Sequence, residues 1–208
     1  CHNAFGFEDV PDWVAGKLDA LNIFDGGRRG GYEDTFYRYL NIGLRVPFST
    51  GTDWFIYDFS RVYVQLDKPL IVENWLSALT AGKSFISNGP LLELHVGEHN
   101  IGDTIRLTQP GHLEARAHAV GRQDFQQLEL VQNGVVVRHI ASHPVGGHFE
   151  AELATTIEAN EPGWVALRVS NGEANTKKNE MGETLFAHTS PIYVELAGRS
   201  VFKPEAAR

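Results

Sequence analysis

The stretch Leu128-Glu-Leu-Val-Gln-Asn-Gly-Val-Val-Val-Arg-His139 contains the strongest turn signal in the chain. An Asn-Gly pair between two apolar runs is typical of a two-residue β-hairpin, because both central residues of the favoured turn need a positive φ. Further strand-like segments surround this hairpin at short, regular intervals, which is the spacing of a β-sandwich. The predicted strands are 91–96, 103–107, 112–120, 127–132, 135–140, 148–157, 163–170 and 190–196.

The residues before position 85 follow a different pattern. Helical spacing of apolar residues at 32–42 and 72–82 alternates with strand-like runs at 19–24 and 44–49. This order, with short links, favours parallel βα units whose loops carry function. The sequence therefore predicts an α+β chain, with an α/β domain at 1–85 and a β-sandwich domain at 86–208.

Composition excludes several classes of protein. The net charge is −8, from 26 acidic and 18 basic residues, and no run of Lys or Arg is present to bind a nucleic acid backbone. No apolar run approaches the roughly 20 residues that span a bilayer, so no membrane span is expected. Cys1 is the single cysteine, which excludes an internal disulfide framework and a cysteine-based zinc site. Because the chain begins Cys1-His2, it is interpreted as a C-terminal fragment.

The candidate metal ligands of the α/β part lie near predicted strand ends. In Arg45-Val-Pro-Phe-Ser-Thr-Gly-Thr-Asp53 a short strand runs into a glycine turn and presents one carboxylate. Together with His2, Glu8 and Asp25, Asp53 belongs to the kind of ligand set that a divalent metal recruits. On position alone, Asp53 is equally consistent with a turn residue.

Three arginines are candidates for substrate binding. Arg28, Arg29 and Arg45 could pair with an anionic substrate, since a guanidinium group binds phosphate or carboxylate through two hydrogen bonds. The alternative for each of them is a solvated loop charge.

Several segments resemble a known family. The more specific ones are Gly82-Lys-Ser-Phe-Ile-Ser-Asn-Gly-Pro-Leu-Leu92 and Ala187-His-Thr-Ser-Pro-Ile-Tyr193, and Tyr37-Arg-Tyr-Leu-Asn-Ile-Gly-Leu-Arg-Val-Pro47 and Thr50-Gly-Thr-Asp53 accompany them. These segments resemble the C-terminal half of CehA/McbA-like proteins, a branch of the PHP (polymerase and histidinol phosphatase) metallohydrolase superfamily.

This resemblance implies the last βα units of a distorted (β/α)7 barrel, followed by an antiparallel β-sandwich. It implies divalent metal ions (zinc, manganese or iron) that activate water for hydrolysis of a phosphoester or of a carboxyl or carbamate ester. His2 and Asp53 occupy positions of metal ligands in this family, and Asp53 would also orient the attacking hydroxide. The implied partners are a small anionic or ester substrate and the upstream half of the same domain, which would supply the family's His-x-His pair.

Two alternatives stand beside the hydrolase. The sandwich could be a non-catalytic carbohydrate- or protein-binding module on a degenerate PHP scaffold, or the fragment alone could be inactive because it holds too few ligands. In the second case a second copy of the chain could cover exposed strand edges, which makes a homo-oligomer an expectation.

The remaining histidines fall in the predicted β region. They are expected to serve the fold, with a second metal site as the less favoured alternative, and His188 is expected to pack between barrel and sandwich. His95, His112, His118 and His139 are predicted to face outward from their strands, and His143 and His148 to flank a turn.

Overall fold

A computed structural model describes residues 9–24, 32–45, 47–51, 60–170 and 175–207 of the chain. The secondary structure of the described part of the chain is mainly β-strand. The helices are α1 (Asp9–Val14), α2 (Tyr32–Asn41) and α3 (Val72–Thr80), followed by a short 3₁₀ turn, Pro204–Ala207. The strands are β1 (Leu21–Phe24), β2 (Phe48–Thr50), β3 (Arg61–Val64), β4 (Ser84–Ser87), β5 (Leu91–Val96), β6 (His99–Asn100), β7 (Thr104–Leu107), β8 (Gly111–Gly121), β9 (Gln127–Gln132), β10 (Val135–Ala141), β11 (His143–Val145), β12 (His148–Ala159), β13 (Gly163–Val169), β14 (Ala187–Thr189) and β15 (Ile192–Leu196).

Two sheets form the sandwich. The five-stranded sheet has the order β11-β12-β8-β5-β6, and all its neighbouring strands are antiparallel. The eight-stranded sheet has the order β10-β9-β13-β14-β4-β3, with β15 pairing both β13 and β7. A buried apolar cluster lies between them and takes alternate residues from both sheets, such as Leu94 and Ala117 from one and Leu130 and Leu167 from the other. The alternation of apolar and polar residues thus builds the core.

The predicted β region agrees closely with the observed strands. Each of its eight predicted strands is present, with ends that differ by a residue or two at most. The hairpin at Asn133-Gly134 is confirmed, since Gln132 pairs with Val135 and the two turn residues have φ values of 53° and 91°. Such a turn matches the right-handed twist of the flanking strands.

A second buried cluster covers the other face of the eight-stranded sheet. Phe36 and Leu40 of α2 pack there with Phe48 of β2 and Trp164 of β13. Because β13 is covered on both faces, it is a nearly continuous apolar run, Gly-Trp-Val-Ala-Leu-Arg-Val. A continuous run of this kind is typical of a strand at the centre of a layered fold.

The predicted (β/α)7 barrel is wrong. Within the described residues, β1 and β2 form one parallel pair, which agrees with a single βα unit. The next two strands do not extend it, because β3 pairs antiparallel with β4 and β4 pairs antiparallel with β14. One of the two partners of β4, β14, therefore lies about a hundred residues further along the chain, where local patterns give no information about pairing. The domain division at residue 85 stays a prediction, and β4 spans that position.

The third helix differs from its prediction in one respect. The apolar spacing at 72–82 predicts a helix that faces a core, and α3 does form, with Gly82 following it at a φ of 75°. None of its residues is buried, however, and Val72 and Leu76 are 69% and 51% exposed. None of the described helices has the length and apolarity that crossing a bilayer requires.

Candidate metal centre on the five-stranded sheet

The two longest strands of the structure, β8 and β12, form the middle of the five-stranded sheet. They pair antiparallel from Gly111 and Ala159 at one end to Gly121 and Phe149 at the other. Directly paired residues point to the same face of a sheet, and successive residues point to opposite faces. The inward residues are small or apolar, so the polar residues of both strands collect on the outer face.

One row of polar side chains crosses three strands on this outer face. Glu93 of β5 lies opposite His118 of β8, and His118 lies opposite Glu152 of β12. Glu150 is two residues before Glu152 and shares its face. One ligand atom each from His118, Glu150 and Glu152 lies within 4.8 Å of the other two. The register of β8 against β12 therefore brings an imidazole nitrogen and two carboxylates together.

A second histidine holds one of these carboxylates. His148 is two residues before Glu150 on β12, and its Nε2 donates a hydrogen bond of 2.5 Å to Oε1 of Glu150. This hydrogen bond lowers the pKa of the Glu150 carboxyl, and the nearby imidazole of His118 adds to the effect. Glu150 is therefore an anion at neutral pH and is held in one orientation.

The imidazole of His118 points at the carboxylates without bonding to them. Its Nε2 lies 3.8 Å from Oε2 of Glu150, which is too long for a hydrogen bond. This nitrogen is buried and has no hydrogen-bond partner among the described residues, although the whole side chain is 35% exposed. A buried polar atom without a partner is uncommon in proteins, and an ion bound next to it is one physical explanation.

The chemistry of the three side chains suits a divalent transition metal. Imidazole nitrogen and carboxylate oxygen are ligands of zinc, manganese and iron in proteins. Two ligands on one zinc ion lie at most about 4.4 Å apart, since each bond is about 2.0–2.2 Å long. The present separations reach 4.8 Å, so the three side chains, of which only Glu152 is exposed, would have to move closer together around a bound zinc ion.

The residues chosen from the sequence do not take part in this group. His2, Glu8, Asp25, Arg28 and Asp53 lie outside the described residues, so their roles stay predictions. The expected small anionic or ester substrate, upstream half-domain and homo-oligomer likewise stay predictions.

Arg45 is described, and its contacts are within the chain. Its guanidinium donates hydrogen bonds to Oγ1 of Thr104 at 2.8 Å and to Oε1 of Glu195 at 3.0 Å. It also lies 4.6 Å from the ring centroid of Tyr193. Its predicted role in substrate binding would require it to exchange these contacts for a substrate.

The sequence contains a signal for the observed group that the analysis did not use. His148-Phe-Glu-Ala-Glu152 places three possible ligands at every second position, and this spacing puts them on one face of a strand. The outward position predicted for His118 is correct, since its buried neighbours Ala117 and Ala119 face the core. The sequence does not show that β8 and β12 pair in the register that joins these residues.

A different histidine lies in a sealed polar network. His188 is fully buried; its Nδ1 donates to the carbonyl oxygen of Thr189 at 2.7 Å, and its Nε2 accepts from the hydroxyl of Tyr37 at 2.7 Å. Arg168 in turn donates to the Tyr37 oxygen and to the Glu129 carboxylate. Burial lowers the pKa of His188 to about 3, so the ring is neutral.

Comparisons with known proteins are sparse. No family model and no curated protein matches this chain. A crystal structure of the CARDB domain of a Pyrococcus furiosus protein, in complex with di-metal ions, is similar at 16% identity, 51% coverage of this chain, 93% coverage of that chain and a TM-score of 0.33. A solution structure of the same domain gives 15% identity, 50% and 94% coverage and a TM-score of 0.27. Likenesses this distant assign no function.

The family suggested by the sequence is therefore corrected. The predicted membership of the CehA/McbA-like branch of the PHP superfamily is wrong, because the described strands form mostly antiparallel sheets instead of the barrel of that superfamily, and no family model matches the chain. The hydrolase expected from that membership loses its basis in the same way. The described part of the chain is a mostly β structure with a sandwich and a group of side chains suited to a metal ion.

Proposed function

We propose that this chain is a non-catalytic β-sandwich binding module that holds one divalent transition metal on its outer face. The observation that carries the proposal is the convergence of His118, Glu150 and Glu152, whose ligand atoms lie within 4.8 Å of one another. Without a cation, two neighbouring carboxylates repel each other, and a divalent ion removes that repulsion.

The surroundings of the three ligands favour a preformed site. They project from paired strands of a sheet, which fix their backbone positions better than a loop would. His148 orients the Glu150 carboxylate by its hydrogen bond, as residues around a metal commonly do for a ligand. One nitrogen and two oxygen ligands favour zinc, and the same ligands bind manganese and iron more weakly.

Calorimetric titration of the chelator-treated protein with zinc tests the proposal. We expect one equivalent to bind, and the His118→Ala, Glu150→Gln and Glu152→Gln variants each to lose affinity by about tenfold or more. Manganese, titrated in the same way, should bind more weakly.

The chain offers a matched control. His112 and Glu158 are another directly opposed His–Glu pair on the same face of β8 and β12, and they are not part of the metal group. The His112→Ala/Glu158→Gln variant should bind zinc like the unmodified protein. Equal losses in the control and the site variants, or no zinc binding by the unmodified protein, would overturn the proposal.

A further inference from the structure

The metal group adjoins a cavity on the outer face of the sheet. The cavity has a volume of about 450 Å³, and two of the three proposed ligands, His118 and Glu152, line it. His95 and Arg116 line its other side, with Ala154 between Arg116 and Glu152. We propose that this cavity binds a small oxyanion, a carboxylate or a phosphate, between the metal ion and Arg116. The inference rests on the proposed metal site and extends it.

The register of three strands builds the cavity. Arg116 lies opposite His95 on β5 and opposite Ala154 on β12. This row is the neighbour of the row that contains His118 and Glu152. Since Ala154 carries only a methyl group, the sheet has a depression between Arg116 and the metal ligands. A larger side chain at position 154 would occupy part of it.

Arg116 supplies a cation that the described part of the chain does not use. No hydrogen bond or ion pair joins its guanidinium to any described residue, although Glu152 lines the same cavity. The other carboxylate near the cavity, that of Glu93, is bonded to His95 at 2.9 Å. When a metal ion binds the carboxylate of Glu152, no carboxylate of the cavity remains free to pair with Arg116.

The metal would contribute the second half of the anion site. His118, Glu150 and Glu152 supply three ligands, and zinc commonly takes four, so one position stays open to solvent or to a ligand. The divalent charge of the ion offsets the two carboxylates. An oxyanion that fills the open position presents its remaining oxygens to a guanidinium, whose planar fork suits both carboxylate and phosphate.

Cobalt-loaded protein provides a direct test, because the visible absorption of bound cobalt responds to a change of ligand. Inorganic phosphate and acetate are titrated separately into the loaded protein. We expect both anions to change the spectrum, and the anion that binds more tightly to identify the natural ligand as a phosphate or a carboxylate. Absence of any change with either anion, while cobalt stays bound, would overturn this inference and leave the metal site standing.

Two variants separate the anion from the metal. Arg116→Gln should weaken anion binding by about tenfold or more without changing cobalt affinity, because it removes a charged hydrogen-bond donor and leaves all three metal ligands in place. Ala154→Leu should weaken anion binding, because the larger side chain would occupy the space between Arg116 and the metal ligands. Arg122→Gln, which alters an exposed arginine paired with Glu180 elsewhere, should leave both affinities unchanged.

The possible results are distinguishable from one another. An anion affinity that is equal in Arg116→Gln and in the unmodified protein would contradict the role of Arg116. Failure of cobalt and zinc to bind at all would overturn the proposed function, and with it the oxyanion site.

Discussion

Two histidines of this protein, His188 and His118, lie in opposite surroundings. His188 belongs to β14 of the eight-stranded sheet and is buried against Tyr37 of α2 and Phe48 of β2, and both of its ring nitrogens have partners at 2.7 Å. His118 lies on the open face of the five-stranded sheet, and its Nε2 has no hydrogen-bond partner among the described residues. A satisfied, buried polar group holds the fold together, whereas an unsatisfied nitrogen on a partly exposed side chain is available to a ligand.

The sealed network also contains a nearly buried ion pair. Nε of Arg168 lies 2.6 Å from Oε2 of Glu129, and the two side chains are only 12% and 9% exposed. Arg168 extends this pair to Tyr37 of α2 at 3.2 Å. The network therefore joins the helix to β9 and β13, and its removal should affect stability rather than binding.

The largest expected effect on stability comes from removing the buried imidazole of His188. His188→Ala deletes a buried side chain whose ring centroid lies 4.8 Å from that of Phe48, and it removes the hydrogen bond that the Tyr37 hydroxyl donates to the imidazole. We expect the free energy of unfolding to fall by about 3 kcal/mol, from cavity formation and the lost hydrogen bond. His118→Ala should change it by less than about 0.5 kcal/mol in the absence of metal. Urea unfolding of both variants measures the difference, and similar losses would contradict the comparison.

The next largest effect concerns the proposed metal ligands His118, Glu150 and Glu152. Zinc that binds only the folded chain should raise the free energy of unfolding by about 2.7 kcal/mol when free zinc is a hundred times its dissociation constant. The gain should vanish in Glu152→Gln and on addition of a chelator, because the ligand set is then incomplete or empty. Chemical unfolding with and without zinc checks this, and a gain that persists in Glu152→Gln would show that zinc binds elsewhere.

The burial of the His188 imidazole also predicts that stability depends on pH. Burial lowers the pKa of His188 from its ordinary value of 6.5 to about 3, so between these values the unfolded chain binds a proton that the folded chain does not. Stability therefore falls as the pH falls through this window, by about 1.4 kcal/mol for each pH unit attributable to this group. Above pH 6.5 His188 is neutral in both the folded and the unfolded chain, so it adds no pH dependence there.

A non-titrating variant isolates that contribution. Between the two pKa values, His188→Gln should lose less stability per pH unit than the unmodified protein. The carboxylates contribute equally to the pH dependence of the two proteins. Urea unfolding at a series of pH values gives the two slopes. Parallel slopes would mean that His188 takes up its proton in the folded state.

The smallest effect belongs to the hairpin next to the sealed network. Gly134 has a φ of 91°, and Asn133 accepts a hydrogen bond from the backbone N–H of Trp164 at 2.9 Å. Gly134→Ala should lower the free energy of unfolding by about 1 kcal/mol, because an alanine is strained at a positive φ. Gly111→Ala is the control, since nothing lies within 4 Å of an added Cβ there and its φ is not positive. Equal midpoint temperatures of thermal unfolding for the two variants would argue against a strained turn.

The strands of the sandwich were predictable because their signals are local. Alternation along Leu91–Val96 and the turn at Asn133-Gly134 each depend on a few neighbouring residues. The barrel prediction failed where pairing is long-range: Ser84–Ser87 lies across the predicted domain boundary, and in the structure it pairs with Ala187–Thr189. The outward position of His118 was predictable, whereas its approach to Glu150 was not.

The sequence by itself determined the period-two strands, the hairpin, the acidic net charge and the one-sided placement of His148, Glu150 and Glu152. These follow from backbone geometry and composition, which act over a few residues at a time. Only the tertiary structure decided which strands pair, which histidine is sealed and which is open. Strand register joins His118 to carboxylates more than thirty residues away, and burial decides whether an imidazole stays neutral inside the fold or remains available to a metal.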